Sequence, residues 1–353
     1  MWLGVVAPHP PYDTNSSWET HVNTSAVDPP PDAGPLHPYE AYQSLVKGIS
    51  RQNYTRAQQE RMRRAYWGAA AQATDMLLEV LFAAEARGWL DNALVVVTSD
   101  HGEMSLEHGQ DYKNSLLEPS SRVPLIIMPL GVAGVPPPPP GGGVVTAVTS
   151  HMDVLPTLLS AAGVPAPPGL LRGASLMPYL TGAVAPDSPP PGRPPFVALQ
   201  YHSNLAPGSA YGVVQRNGTS VMKLIVYGAA SALGELPPQL FDVTADPFET
   251  VNLAGARPAA VAALNASLHA ELDVPAIDAA RAASDLALYS QWFHAQCSPT
   301  ALLAQLAAAF AGVAEGELAE RVAAWTGGLD PRNATGGGPG AGCPGGGGGG
   351  VGA

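Results

Sequence analysis

Lysine is nearly absent from this 353-residue chain: Lys47, Lys113 and Lys223 are the only three among seventeen basic residues. Charge of any kind is sparse, at 13% of residues, and 29 acidic residues against 17 basic ones leave a formal net charge of −12. A surface of that sign repels phosphate, so a nucleic-acid partner is not expected. Cysteine is equally scarce. Cys297 and Cys343 cannot build a disulfide framework or a cysteine-based zinc site. No apolar run approaches the roughly 18 to 20 residues of a membrane span, which argues against an integral membrane protein. Met1 is followed by a short apolar stretch, Trp2 to Ala7, with no basic lead-in. It is too short for the core of a secretory leader.

Glycine and proline are abundant, at 39 and 37 residues, while 46% of the chain is hydrophobic. That apolar content is enough to close a sizeable interior and argues against disorder. Six of the ten asparagines, Asn15, Asn23, Asn53, Asn217, Asn265 and Asn333, stand in N-x-S/T sequons, where chance would place about one. The excess points to a secreted or lysosomal (vacuolar) glycoprotein. A glycoprotein without a leader is consistent if the sequence begins inside a longer chain, and the opening WLGVV, which reads as a strand entered midway, supports that expectation.

Apolar spacing predicts a long helix from about Thr55 to Arg87, its buried face formed by Met62, Tyr66, Ala69, Ala73, Met76, Val80 and Ala84, with Gly88 ending it. ALVVVTSD and RVPLIIMPLG read as continuous buried strands. DVLPTLLSAAG reads as a short helix with Asp153 at its cap. Alternating strands and helices predict an α/β domain with a mostly parallel sheet over residues 1–185. Beyond a proline-rich stretch, FVALQYH, YGVVQRNGTS and VMKLIVYG predict a small antiparallel sheet, with Asn217-Gly218 supplying a hairpin turn. Ala-rich helices follow at about 257–272, 279–296, 301–312 and 315–325. The second unit thus covers 186–326, and a flexible Gly-rich tail covers 327–353.

The most informative segment is TSDHGEMSLEHGQDYK, residues 98–113. A buried strand ending in Asp-His-Gly delivers Asp100 and His101 to the carboxyl edge of a sheet, where open α/β folds bind ligands and where these side chains can meet a cation. Gly102 lets the backbone turn away, with Glu103, Glu107 and His108 available for an outer shell. A strand-end turn with solvated charges fits this spacing equally well. Lys113, retained in an Arg-rich chain, suits a single oxygen of a tetrahedral anion, although three lysines must fall somewhere. His9, in APHPPY, is held by prolines and can donate to an anion or protonate a leaving oxygen. A lone histidine in such a loop is more often incidental. Arg51, Arg56, Arg61, Arg63 and Arg64 form either a basic patch or, more simply, a solvated helix face.

PHPPY, the GWLDNALVVVTSDHGE strand, EHG followed by YK, E and RVPLII, then HMDVLPTLLSAAGVP and PQLFDVTADPFETVNLA, occur in this order over roughly residues 1–255. In that series the chain resembles the sulfatases of the alkaline-phosphatase-like superfamily. The resemblance implies an incomplete doubly wound, mostly parallel sheet with a small carboxyl-terminal antiparallel sheet and helices. It implies Asp100 and His101 as two ligands of a divalent cation, usually calcium, and His9 and Lys113 as the sulfate-binding catalytic residues, His9 beside the leaving oxygen. A histidine is an unusual ligand for calcium, which prefers oxygen. The implied substrate is a sulfated carbohydrate or small sulfate ester, and one branch of the family removes sulfate from uronates of glycosaminoglycans.

The family's nucleophile is a formylglycine made from cysteine within C-x-P-x-R, and a pair of aspartates completes its metal site. Neither occurs in this sequence, and both are expected upstream of PHPPY. CSPTALL (297–303) begins like the modification motif but has Ala301 where arginine is required. Cys297 therefore reads as a small buried residue and Cys343 as a thiol in the tail. Two other readings stand beside sulfate-ester hydrolysis: an inactive homologue that binds glycan, and a phosphomonoesterase or phosphodiesterase of the same superfamily with a Ser or Thr nucleophile.

Overall fold

A computed structural model describes residues 1–12, 16–23, most of 27–41, 54–202, 208–228 and 235–295, with isolated residues as far as 323. Cys297, Cys343, the helices read over 301–312 and most of 315–325, and the Gly-rich tail lie outside the described residues.

Helix α1 is the single turn Ser16–Glu19. Helix α2 runs Arg56–Glu85, opened by Thr55, whose side chain accepts from the Gln58 amide while the Gln58 side chain accepts from the Thr55 amide. Such a reciprocal cap satisfies two of the first turn's free donors. Of the predicted buried face, Ala69 and Ala84 are buried, whereas Met76 is exposed, as are Leu78 and Phe82 outside that face. The helix packs through Gly68, where an added Cβ would stand 3.3 Å from the Glu19 amide nitrogen of α1.

Strands β1 (Ala93–Thr98) and β2 (Leu125–Leu130) pair antiparallel, Ala93 opposite Leu130 and Thr98 opposite Leu125. The expected mostly parallel sheet is therefore not what the described strands form. A parallel pair needs a crossover helix, and the segment from 99 to 124 instead makes two short turns, a 3₁₀ turn at Glu107–Gly109 and helix α3 at Glu118–Ser121. Nor are these strands buried on both faces: no residue of β1 is fully buried, and Ile126 of β2 is exposed. WLGVV, read as a strand, has no strand partner among the described residues, and Trp2 and Val6 are exposed.

Helix α4 (Val154–Ala161) is entered through a 3₁₀ turn, His151–Asp153, capped by Ser150 rather than by Asp153. Asp153 is fully buried instead. Its carboxylate accepts from the Ser150 and Ala174 amides and pairs with Arg193. Helix α5 is Met177–Leu180.

The antiparallel sheet is present and larger than expected, in the order β3-β4-β5-β6: Phe196–His202, Ser209–Asn217, Ser220–Tyr227 and Gln239–Asp242. Asn217 pairs with Ser220, so the two turn residues are Gly218 and Thr219, and Gly218 takes a φ of 62° that suits glycine. Helices α6 (Pro258–Glu271) and α7 (Val274–Ala295) follow. One face of the sheet buries Tyr211, Val213, Leu224 and Leu240 with Leu264 and Leu268 of α6. The other buries Ala210, Ile225 and Phe241 with Tyr39, Met104, Leu116 and Leu117. This second core ties the antiparallel sheet directly to the loop between β1 and β2.

Candidate anion-binding site

The end of β1 carries Asp100 and His101 into a loop whose next residue approaches α3 closely. The Gly102 amide donates to Ser120 O at 2.8 Å and the Glu103 amide to Pro119 O at 2.8 Å. A Cβ at Gly102 would lie 2.0 Å from Pro119 O, so glycine is required here by the approach of another backbone. Lys113 stands at the far end of the same loop.

His9 comes from the other side, in a turn closed by its own amide donating to Val6 O at 2.9 Å. Its Nδ1 is 2.6 Å from Pro10 O, and only a proton on Nδ1 satisfies that contact. Nε2 then keeps a lone pair, and Lys113 Nζ lies 2.7 Å from it. The His9 and His101 rings meet edge to face with centroids 6.3 Å apart. Residues 9, 101 and 113, distant in sequence, thus share one ledge, on which His9 is exposed and His101 and Lys113 are half-buried.

His101 Nδ1 is 2.9 Å from Gly102 O, a contact that again fixes the proton on Nδ1. Its Nε2 lies 3.5 Å from Asp100 Oδ2, an ion pair when the ring is protonated. Slight burial opposes ionisation of Asp100, but the His101 ring, the His101 amide and Lys113 outweigh it and hold the carboxyl below its usual value. The two side chains lie close enough to share one cation. Among the described residues no group of three or more His, Cys, Asp or Glu side chains is placed to hold a metal ion, and calcium takes six to eight ligands. The described residues do not make a metal site by themselves.

Glu103, Glu107 and His108 do not surround Asp100 as a shell. Glu103 Oε1 accepts from Tyr12 Oη and from the Tyr112 amide, both at 2.7 Å. Burial raises its carboxyl, against those bonds and Lys113. Burial and the adjoining Glu103 push the Tyr12 hydroxyl far up, so Tyr12 remains a donor that holds the two ends of the ledge together. Glu107 pairs with Arg63 at 2.7 Å. His108 Nε2 lies 2.9 Å from Phe248 O, with its own backbone at a φ of 51°. Of the arginine cluster, Arg51 lies outside the described residues, Arg56 and Arg61 are exposed as on a solvated face, with Arg56 pairing along the helix with Glu60, and Arg63 departs from that reading, buried against Glu107 and the Ser105 carbonyl.

Sequence reading missed Tyr12, which stands beside His9 in the PHPPY run, and His151, whose Nε2 is 3.1 Å from Thr98 Oγ1 at the strand end. It also gave no role to Glu118 or Glu249. A lysine in the apolar run VMKLIV was the one visible sign of the buried cluster they form with Lys223.

The family model described as Sulfatase matches residues 1–164. Arylsulfatase K of Gallus gallus is 31% identical over 293 residues, covering 78% of this chain and 52% of the relative. Arylsulfatase K of Homo sapiens is 29% identical over 296 residues, with coverage of 79% and 52%. The chain belongs to the sulfatase family. It spans about half the length of the curated relatives it matches. Among solved structures, a phosphonate monoester hydrolase from Silicibacter pomeroyi superposes with a TM-score of 0.59 at 24% identity, over 76% of this chain and 55% of that one. A 2-O GAG sulfatase gives 0.53 at 22% identity, over 69% and 51%. At these identities the likeness is one of fold, and it places this α/β chain with antiparallel sheets among sulfatase-like structures.

Proposed function

We propose that this chain carries the anion-binding part of a sulfuric ester hydrolase acting on a sulfated carbohydrate or small sulfate ester. The observation that carries the reading is the 2.7 Å contact between Lys113 Nζ and His9 Nε2. It brings an ammonium donor and a basic nitrogen, 104 residues apart, to one exposed point. A sulfuryl oxygen entering there accepts from Lys113 in place of His9. The freed Nε2 can then take a proton from solvent and deliver it to the ester oxygen as its bond to sulfur breaks, which lowers the cost of charge on that atom. Tyr12, Glu103 and the Pro10 carbonyl hold these groups before the anion arrives.

Asp100 and His101 are proposed as two of the ligands of a divalent cation, calcium by the family's habit. Such an ion polarises an ester's oxygens when bound. The formylglycine motif is not in this sequence, so the nucleophile is expected outside it. By the resemblance to arylsulfatase K, sulfated uronates of glycosaminoglycans are the proposed substrate class. Residues 1–185 supply the ledge, residues 186–326 support it, and the six sequons favour a secreted or lysosomal setting. No described helix is long and apolar enough to cross a membrane.

The test is hydrolysis of an aryl sulfate against an aryl phosphate by this chain joined to an upstream segment that carries the C-x-P-x-R nucleophile, with inorganic sulfate binding followed in parallel at the His9 ring resonances. Sulfate turnover supports the reading, and phosphate turnover transfers the site to a phosphoesterase. Absence of both turnover and sulfate binding refutes it. The reading as a glycan-binding homologue without turnover rests on the missing C-x-P-x-R motif. Sulfate binding lost with Lys113, but without hydrolysis of either ester, would favour it.

A further inference from the structure

Lys223 is fully buried at the middle of β5, opposite Val214 of β4 and Phe241 of β6. A lysine on a central strand is an anomaly unless its charge is paired. Its Nζ lies 3.0 Å from Glu118 Oε1 and 3.1 Å from Glu249 Oε1, and it donates to Ser121 Oγ at 3.0 Å. Glu249 Oε2 in turn accepts from the Glu118 amide at 2.6 Å, and Glu249 sits at a φ of 54°. All of these contacts converge on the one turn of α3.

We propose that Lys223 is a positioning residue for the anion ledge, acting through α3. This rests on the reading of Lys113 and His9 as the anion site. The same turn grips both arms of that site: Ser120 Oγ donates to Lys113 O, and the carbonyls of Ser120 and Pro119 receive the Gly102 and Glu103 amides beside His101. The loop between β1 and β2 has little regular structure of its own, so its ends keep their spacing only if α3 is fixed. The ammonium fixes it to the antiparallel sheet. A buried ion pair is weak support for stability, because well-packed apolar residues often replace one without loss. Holding two loop arms in register is what an apolar side chain at 223 would not do.

The test uses the full chain carrying Lys223→Met with Glu249→Gln, which removes one buried charge of each sign and leaves Glu118 to Arg122, whose Nη1 is 3.7 Å away. Amide hydrogen exchange should rise at least about tenfold in the segment 101–115 while strands 209–227 keep their protection. A role confined to stability would instead loosen the strands. Should the double variant fail to fold, Ser120→Ala, which cuts only the tie to the Lys113 carbonyl, must speed exchange at 112–117. Unchanged exchange at 101–115 in a folded double variant, or at 112–117 in Ser120→Ala, overturns the proposal. Inorganic sulfate is the separate probe. If it leaves the wild-type His9 resonances unmoved, the anion reading falls while the exchange result still decides whether Lys223 positions the loop.

Discussion

Glu40 offers the sharpest test of the buried electrostatics. It is 3% exposed, its Oε2 accepts from the His37 amide at 3.2 Å, and burial pushes its carboxyl up to about 8, against that bond and one from Gln239 and with repulsion from Glu249. A carboxyl raised in the folded state binds its proton more tightly there than in the unfolded chain. Stability is therefore full below the ordinary carboxylate value near 4.5 and is lost as pH climbs toward 8. At about 1.4 kcal/mol per pH unit, the wild type should lose roughly 1 kcal/mol from this group by pH 5 and roughly 3 kcal/mol by pH 7. Glu40→Gln keeps the shape and an acceptor for the His37 amide but has no charge to bury. The gap in unfolding free energy between variant and wild type should thus widen in favour of the variant by about 2 to 3 kcal/mol from pH 5 to pH 7. Urea titrations at the two pH values measure it directly. Parallel pH dependences, or a gap that closes as pH rises, would refute the assignment of Glu40 as a protonated buried acid.

Lys113→Ala should weaken inorganic sulfate binding by roughly ten- to a hundredfold, the worth of a hydrogen bond to a charged partner, with His9→Ala less severe; calorimetric titration checks both. Arg63→Met leaves Glu107 buried without its partner and should cost about 3 to 5 kcal/mol in urea unfolding. Gly102→Ala forces a Cβ against the Pro119 carbonyl at 2.0 Å and should cost at least about 2 kcal/mol. Asn217, exposed at the tip of the β4-β5 hairpin, should carry a glycan when the protein passes through a eukaryotic secretory route, while the half-buried Asn265 in mid-helix α6 should stay bare. Glycopeptide mass spectrometry separates the two, and a bare Asn217 would remove the support that its sequon gives to secretion.

The ledge residues were legible because each stands at a place where sequence alone restricts the backbone: His9 between prolines, Asp100 and His101 where an apolar run stops before glycine. Their meeting was not legible, since no period or spacing states that residue 9 faces residue 113. The order of strands carried over well in the antiparallel sheet, where Asn217-Gly218 separates two apolar runs, although the turn itself falls one residue later, at Gly218 and Thr219. It failed for β1 and β2, because an apolar run says nothing about strand direction and, as the exposed Ile126 shows, does not guarantee that both faces are covered. The buried charges were hardest to read. Glu103, Glu107 and Glu118 look like solvated acids around a catalytic loop. Each instead receives a donor from a distant element: Tyr12 and the Tyr112 amide, Arg63, and Lys223. A loop without helix or sheet must meet its polar requirements through such partners, so its acids read as surface in one dimension and serve as anchors in three. It follows that the same residue types do opposite work across this loop, and exposure divides them: Asp100 remains open to solvent, whereas the acids that found partners fix the loop that brings Lys113 beside His9.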